Sequence, residues 1–254
     1  MTCRIYSTNG LALGYRTSIP PCLLCIPWMK AIRFRKISVS LFFTKNSAMK
    51  TFVTLCLPLL VLLTLSSHRR SESKASEWIS LWDGKTFDGW KAAEHPGTFT
   101  IADGAIVVNG DRAHLFYEGP VMNHTFKNFE FKAKVMTTPG SNSGIFIHTA
   151  YQEDGWPSKG YEIQVNNTHT DWRKTGSVYA IQDVKVAPAK DNEWFTQSIT
   201  VQGKKITVKI NDKVINEYTE GENGKLSTGT FALQGHDPKS KVYYKDIQVK
   251  PLPD

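Results

Sequence analysis

The sequence contains no cysteine beyond residue 56, because all four cysteines lie at positions 3, 22, 25 and 56. This absence excludes a small domain held together by disulfide bridges in the remaining part of the chain. Cys22 and Cys25 have the spacing of a CxxC pair, but one such pair without a second is a weak signal for metal or redox chemistry. The rest of the chain must therefore fold around a hydrophobic core.

Acidic residues are absent from the first 67 positions, which hold eight of the 31 Lys and Arg residues. The formal net charge of +8 comes entirely from this segment, because residues 68–254 carry 23 basic and 23 acidic residues. A neutral domain lacks the basic surface that releases counterions from a phosphate backbone. The charge balance therefore predicts no nucleic-acid partner.

Residues 49–67 have the layout of a secretory signal peptide. Met49 and Lys50 give a short positive start, and an apolar stretch and the small residues Ser66 and Ser67 follow. The apolar stretch is short for a membrane span. We expect cleavage after Ser67 or near Ala75, export to the periplasm or the outside of a bacterium, and no membrane span in the mature protein.

The signal peptide sets the expected domain boundaries. Residues 1–48 make little sense upstream of a signal peptide, so they are expected to be an extension from a start codon assigned too early. Residues 68–76 form a polar linker. Residues 77–254 are long enough for one domain with a substantial core, and they contain no internal repeat of useful length.

Short runs of alternating apolar and polar residues recur along this domain, whereas helical periodicity is nearly absent. Asp103–Gly104 and Asn211–Asp212 have the composition of tight hairpin turns. Many short strands without helices predict an all-β fold, a two-sheet sandwich or barrel. The predicted strands cover residues 98–102, 105–108, 129–136, 144–149, 161–165, 176–181, 195–202, 205–210, 213–218, 229–234 and 242–250.

Three of these strands are expected to present unusual polar side chains on one face. Side chains alternate between the two faces of a sheet, so Ile145, Ile163 and Leu233 are predicted to point into the core. The opposite face is then predicted to carry His148, Glu162, Gln164, Gln234 and His236. A solvated sheet face is normally rich in Lys, Thr and Ser, so this face is where we expect a functional site.

Eight blocks of the sequence, taken in order, resemble one known family. They are LWDGKTFDGW at 81–90, NSGI at 142–145, GYEIQ at 160–164, TGSVY at 175–179, NEW at 192–194, ND at 211–212, LQGH at 233–236 and YKDI at 244–247. This set is similar to the 3-keto-disaccharide hydrolase domain family, formerly a domain of unknown function, with 3-keto-glucoside 1,2-lyase and 3-keto-2-hydroxyglucal hydratase activities. The resemblance implies a concanavalin A-like jelly roll of two antiparallel sheets and a small-molecule sugar substrate.

The predicted catalytic strand offers a single carboxylate. Jelly-roll glucanases carry Glu-x-Asp-x-Glu on such a strand, whereas this chain has Glu162, Gln164 and Asn166. Ordinary glycoside hydrolysis needs two carboxyl groups. One base suits a 3-keto sugar instead, because the carbonyl acidifies the C2 proton and its removal expels the C1 oxygen. We predict Glu162 or His148 as the general base and His236 as the acid or oxyanion partner.

Further residues are predicted to bind the sugar, because they flank the same strands or carry amide and aromatic groups. They are Asn142, Trp156, Lys159, Gln164, Arg173, Tyr179 and Gln234, with Asp183 as an additional candidate. Trp156 lies in a loop-rich segment, where aromatic rings that stack on sugars are often found. The other histidines, at positions 95, 114, 124 and 169, are expected at the surface.

Two alternatives stay open at the level of sequence. Two imidazoles and one carboxylate are also a suitable ligand set for a divalent cation that polarises the ketone. A jelly roll can also serve as a non-catalytic, lectin-like carbohydrate-binding module, since a fold does not fix a function. A pure binder would rely on aromatic platforms and amides, so a carboxylate beside histidines favours the enzyme.

Overall fold

The computed structural model describes residues 77–254 of the chain. The predicted extension over residues 1–48, the signal peptide over 49–67 and the linker over 68–76 lie outside these residues. Within residues 77–254, no helix has the length and apolar character needed to cross a membrane.

The described residues form thirteen β-strands and two short 3₁₀ turns. The 3₁₀ turns are Pro96–Thr98 and Val121–His124. The strands are β1 Ile79–Ser80, β2 Trp90–Ala93, β3 Phe99–Ala102, β4 Ala105–Val108, β5 Ala113–Tyr117, β6 Phe129–Thr137, β7 Ser143–Thr149, β8 Tyr161–Val165, β9 Phe195–Gln202, β10 Lys205–Ile210, β11 Lys213–Thr219, β12 Thr230–Gly235 and β13 Val242–Pro251.

The strands form two antiparallel sheets, which confirms the predicted all-β jelly roll. The larger sheet has the order β11-β10-β9-β6-β13-β4-β3, with β1 also paired to β13. The smaller sheet has the order β2-β5-β12-β7-β8. Strands distant in sequence are neighbours in both sheets, so residues from β5, β7, β8 and β12 meet on one surface.

The core lies between the two sheets and is rich in aromatic rings. Phe129 and Phe131 of β6 contact Phe231 of β12, with ring centroids 4.9 and 4.7 Å apart. All three rings are fully buried. Burying one such side chain stabilises the fold by about 1.5–3 kcal/mol relative to leaving it exposed. The inner face of the small sheet is thereby fixed against the large sheet, and its outer face is left for the site.

The predicted hairpin turns are confirmed. Asp103 and Gly104 connect β3 to β4 with positive φ angles of 52° and 66°. Asn211 and Asp212 connect β10 to β11 with φ angles of 47° and 65°. Two consecutive residues with positive φ give the primed turn that matches the right-handed twist of paired strands.

Three strands, β1, β2 and β5, were not predicted, and one predicted strand is irregular. All five side chains of β5 are buried, because both faces of the small sheet are covered at this strand. Its sequence therefore lacks the alternation of apolar and polar residues by which the other strands were predicted. The segment 176–181 is a loop that follows the edge of β8. Its backbone bonds to β8, with the Tyr179 N–H donating to the Glu162 carbonyl at 3.0 Å, but only single bridges form.

Candidate active site

The candidate site is built on the outer face of the small sheet. Cross-strand pairing sets Glu162 of β8 beside Phe146 of β7 and Gln164 of β8 beside Gly144 of β7. Gln234 of β12 lies on the same face, one position from Leu233, which pairs with Ile145. The side chains that point inward from these strands join the core. The alternation predicted from the sequence is therefore correct for β8, for β12 and for β7 as far as Ile147.

A cavity of 460 Å³ lies over this face. It contains most of the predicted site residues, namely Asn142, Trp156, Glu162, Gln164, Tyr179, Gln234 and His236. Its remaining walls include Tyr161, Ile181 and Lys225. The volume is in the range of small-molecule sites, and an apolar wall with a few convergent polar groups is typical of them.

A larger depression of 610 Å³ lies on the outer face of the large sheet. Its lining combines three lysines with three acidic residues, and threonine and serine from β9 complete it. Such a mixture is what a solvated sheet face normally carries. The smaller cavity is the better candidate because it holds a desolvated carboxylate.

Glu162 lines the smaller cavity and is half-buried. Burial raises the pKa of its carboxyl group to about 7. The negative charge of Asp171 also raises this pKa, whereas the hydrogen bond from Gln234 lowers it. The Gln234 Nε2 donates to Glu162 Oε1 at 2.7 Å. With its amide nitrogen facing the carboxylate, Gln164 donates to the same oxygen at 3.0 Å. Glu162 is thus held by two amides and poised to gain or lose a proton near neutral pH.

Gly144 makes room for this carboxylate. The Glu162 side chain folds across β7, and a Cβ atom added at position 144 would lie 2.8 Å from Glu162 Cγ. Carbon atoms essentially never approach so closely, so any other residue would displace the side chain. Gly144 belongs to the NSGI block that carried the family resemblance, but its relation to Glu162 was not predicted.

His236 forms a second polar wall, and its ring is oriented by the neighbouring Asp237. The ring Nδ1 donates to Asp237 Oδ2 at 2.7 Å. Partial burial acts to raise the Asp237 pKa, but hydrogen bonds from His236 and Ser240 outweigh it and leave the pKa below its ordinary value. A carboxylate on Nδ1 leaves Nε2 as the acceptor of the neutral ring. The Nε2 atom of His236 is therefore the ring atom that can accept a hydrogen bond from a ligand.

His169 lies against His236 with ring centroids 5.5 Å apart, and it was expected at the surface but is half-buried. His169, His236 and Asp237 offer ligand atoms within 4.8 Å of one another, so they are the described residues that could hold a cation. However, the Asp171 N–H donates to His169 Nδ1 at 3.1 Å, which leaves the proton of a neutral ring on Nε2. A metal at Nε2 would require this hydrogen bond to be given up.

The prediction that His148 shares the site with Glu162 is wrong. His148 has a positive φ of 51°, at a point where the register between β7 and β12 shifts. This bulge turns the ring toward Phe129, 5.5 Å away between centroids. Its Nε2 bonds to the Lys127 carbonyl at 2.9 Å, and burial lowers its pKa. His148 is a structural residue near the end of β7.

The prediction that His114 is a surface residue is also wrong. His114 lies on β5 directly opposite Gln234 of β12 and is completely buried. Its ring contacts those of Phe146 and Trp156, with centroids 5.4 and 5.6 Å apart. The sequence feature that could have predicted this position is that His114 lies between two inward residues, Ala113 and Leu115. Their spacing places His114 on the same face of the sheet as Gln234.

Lys159 and Arg173 were predicted to bind the sugar but do not line the cavity. The Lys159 Nζ donates to the Thr228 carbonyl at 2.7 Å. Arg173 lies 3.3 Å from Asp183 and 4.8 Å from the ring centre of Tyr179. Both cations are occupied by neighbouring parts of the fold, and Arg173 supports the wall that Tyr179 presents to the cavity.

Comparison with known proteins gives matches to both the sequence and the fold. The model of the 3-keto-alpha-glucoside-1,2-lyase-like domain matches residues 77–250. A curated 3-keto-disaccharide hydrolase from Bacteroides thetaiotaomicron is 29% identical over an alignment of 171 residues, and the match covers 57% of this chain and 59% of that protein. The matched part of this chain thus spans about three fifths of the length of that relative.

Two crystal structures of candidate glycosyl hydrolases from Parabacteroides distasonis have the same fold. The first has a TM-score of 0.58 and 23% identity, covering 69% of this chain and 94% of its own. The second has a TM-score of 0.55 and 20% identity, covering 69% and 100%. At this level of identity the similarity establishes the two-sheet architecture only.

Proposed function

Because this chain belongs to the 3-keto-alpha-glucoside-1,2-lyase-like domain family, we propose that it is an enzyme that cleaves 3-keto-glycosides by elimination. Glu162 is the general base. The observation that carries this proposal is one desolvated carboxyl group, with a pKa of about 7, that lines a cavity of sugar size. No other carboxylate is found among the described residues that line this cavity.

A single carboxylate does not suit direct hydrolysis. Inverting and retaining glycosidases both place two carboxyl groups across the scissile bond. The nearby Asp237 does not fill the second role, because it does not line the cavity and its oxygens accept hydrogen bonds from His236 and Ser240. Elimination needs one base and one acid, which Glu162 and His236 supply.

The reaction balances with these two groups. Glu162 removes the proton from C2, which the neighbouring C3 ketone has made acidic. The C2–H electrons form the C1=C2 double bond, the C1–O bond breaks, and the departing oxygen takes the Nε2 proton of a protonated His236, which is left as the neutral ring. The products are a 3-keto-2-hydroxyglucal and an alcohol or sugar. Addition of water across the double bond, with a proton returned to C2, then gives 3-keto-glucose.

The other cavity residues have roles that follow from their chemistry. Asn142, Gln164 and Gln234 offer amide donors and acceptors for hydroxyl groups and for the ketone oxygen. Trp156 and Tyr179 are partly exposed and present ring faces against which a sugar can pack. Donors aimed at the ketone oxygen would stabilise the negative charge that develops there when C2 loses its proton.

A solvent isotope experiment tests the elimination directly. The purified protein is incubated with a 3-keto-glucoside in D₂O, and the 3-keto-glucose product is examined by NMR. Elimination followed by hydration places deuterium at C2, because the proton on C2 is replaced from solvent. A product that keeps its original C2 proton would refute elimination and favour direct displacement at C1.

The lectin-like alternative is tested in the same assay. The exposed Trp156 and Tyr179 rings would also suit a binding module. Such a module would bind the sugar without turnover, so the wild-type protein would release no product at any pH.

We also propose that the protein is exported. This proposal rests on the layout of residues 49–67, which is that of a secretory signal peptide.

A further inference from the structure

Next to the cavity lies a buried polar group, and Gln234 is its one member that also lines the cavity. It consists of Glu94, His114 and the amide oxygen of Gln234. Their side chains are at least nine-tenths buried, with the Glu94 side chain 5% exposed and the His114 side chain 1% exposed. His114 pairs across the sheet with Ala93, the residue before Glu94, and with Gln234. Glu94 follows the last residue of β2 with a positive φ of 62°, and its carboxylate lies next to the His114 ring.

Several polar atoms of this group have no hydrogen-bond partner among the described residues. They are Glu94 Oε1, both ring nitrogens of His114 and Gln234 Oε1. The His114 Nδ1 and Glu94 Oε1 are 3.6 Å apart, too far for a hydrogen bond. The other Glu94 oxygen accepts from Arg112 Nε at 2.8 Å. Buried polar atoms are nearly always satisfied, so four unpartnered atoms in one place indicate a ligand.

Trp156 separates this group from the cavity. Its ring lies between two histidine rings, with centroids 5.6 Å from His114 and 5.7 Å from His236. Arg112 lies over the ring at 5.4 Å. Despite these three neighbours, the tryptophan is 46% exposed, so solvent borders the rest of its side chain. Its displacement would join the buried group to the cavity.

The charge and hydrogen-bonding capacity of the group define its ligand. Burial lowers the pKa of His114 to about 4, despite the opposing effect of the Glu94 charge, so the ring is neutral at neutral pH and offers one donor and one acceptor. Glu94 and Gln234 add two acceptor oxygens. The Glu94 charge is offset by Arg112. Three acceptors and one donor suit the adjacent hydroxyl groups of a neutral sugar.

We propose that Glu94, His114 and the Gln234 amide oxygen form a second hydroxyl-binding subsite, which holds the sugar attached at C1 of the 3-keto ring once Trp156 has moved aside. The assignment of this ligand as the leaving sugar rests on the proposed elimination. The subsite makes the protein selective for disaccharides over glycosides of small alcohols. A smaller leaving group would react without displacing Trp156.

The test compares two substrates in three proteins. kcat/KM is measured for a 3-keto-glucosyl-glucose disaccharide and for methyl 3-keto-glucoside, in the wild type, in His114→Phe and in the control His124→Phe, which changes a partly exposed histidine outside the cavity. The wild type should prefer the disaccharide. In His114→Phe this preference should fall by roughly tenfold or more, as expected when a sugar hydroxyl loses its partner in a buried site. In the control it should be retained.

A preference that is the same in His114→Phe and in the wild type would overturn the subsite. Because a buried substitution can disturb folding, crystals of Glu162→Gln soaked with the disaccharide give an independent reading. The second sugar should lie within hydrogen-bond distance of His114, with Trp156 displaced. A bound disaccharide that leaves Trp156 in place over His114 would also overturn it. Failure of the wild type to turn over either substrate would instead refute the proposed elimination, and the soaked crystals would still test the subsite.

Discussion

Changing Glu162 to Gln should lower activity and raise stability in the same protein. Glutamine keeps the shape of the side chain and can still accept the hydrogen bond from Gln234, but it cannot take a proton. Turnover of a 3-keto-glucoside should fall by roughly 10²- to 10⁴-fold, as expected for a lost general base. Stability should change in the opposite direction, because the variant no longer has to bury a charge.

The size of the stability gain follows from the pKa shift. The pKa of Glu162 rises from 4.5 to about 7 in the folded protein, so the folded state binds a proton more tightly than the unfolded state. The tighter proton binding stabilises the folded protein. This stabilisation is fully present below pH 4.5 and is lost as the pH rises through 7. The complete loss of this stabilisation lowers the free energy of unfolding by at most about 3 kcal/mol, because the carboxyl group borders the cavity and is partly screened by solvent.

Denaturant unfolding at pH 4.5 and at pH 8 measures this effect. The free energies of unfolding of the variant and the wild type should be similar at pH 4.5, and the variant should be more stable at pH 8. The exposed Glu222, changed to Gln, controls for the loss of one negative charge. A difference between Glu162→Gln and the wild type that is the same at both pH values would refute the claim that Glu162 is a desolvated base. Near-normal turnover would refute its catalytic role.

Two further predictions concern the space around Glu162 and the N-terminus. Gly144→Ala should push the Glu162 carboxylate off its position and lower kcat by roughly tenfold or more. Gly97→Ala should leave kcat unchanged, because the added methyl group meets no atom within 4 Å. Equal rates in the two variants would contradict the close fit between Gly144 and Glu162. N-terminal sequencing of protein from the native host should find a start after residue 67 or near residue 75. An intact segment 49–67 in the mature protein would refute export by a signal peptide.

The sequence was sufficient to predict the all-β fold and the face of the sheet that carries Glu162. Period-two alternation on β8 and β12 placed Glu162, Gln164 and Gln234 on the side away from the core, and the structure confirms this arrangement. The prediction succeeded because polar and apolar side chains alternate along these strands, with Ile163 and Leu233 in the core and Glu162 and Gln234 in the cavity. Strands with this pattern have one register that buries their apolar side chains.

The errors have local causes that the pattern does not contain. His148 follows the alternation in sequence, but the bulge at this residue turns its side chain to the other face of the sheet. His114 was missed because β5 is buried on both faces and does not read as an alternating strand. The position of Asp237 beside His236 depends on the turn that follows β12, where Ser240 and the Lys239 N–H bind the same carboxylate. The pattern of a single sequence predicts which face of a sheet a side chain occupies better than it predicts the conformation of bulges and turns.

The loop over residues 176–181 has a consequence for the solubility of the protein. β8, which carries Glu162, is the outermost strand of the small sheet, and an open strand edge invites pairing with another chain and aggregation. The loop occupies this edge: the Gln164 N–H donates to the Ser177 carbonyl and the Tyr179 N–H to the Glu162 carbonyl, each at 3.0 Å. The segment that brings Tyr179 to the cavity therefore also protects the catalytic strand from intermolecular β-sheet formation.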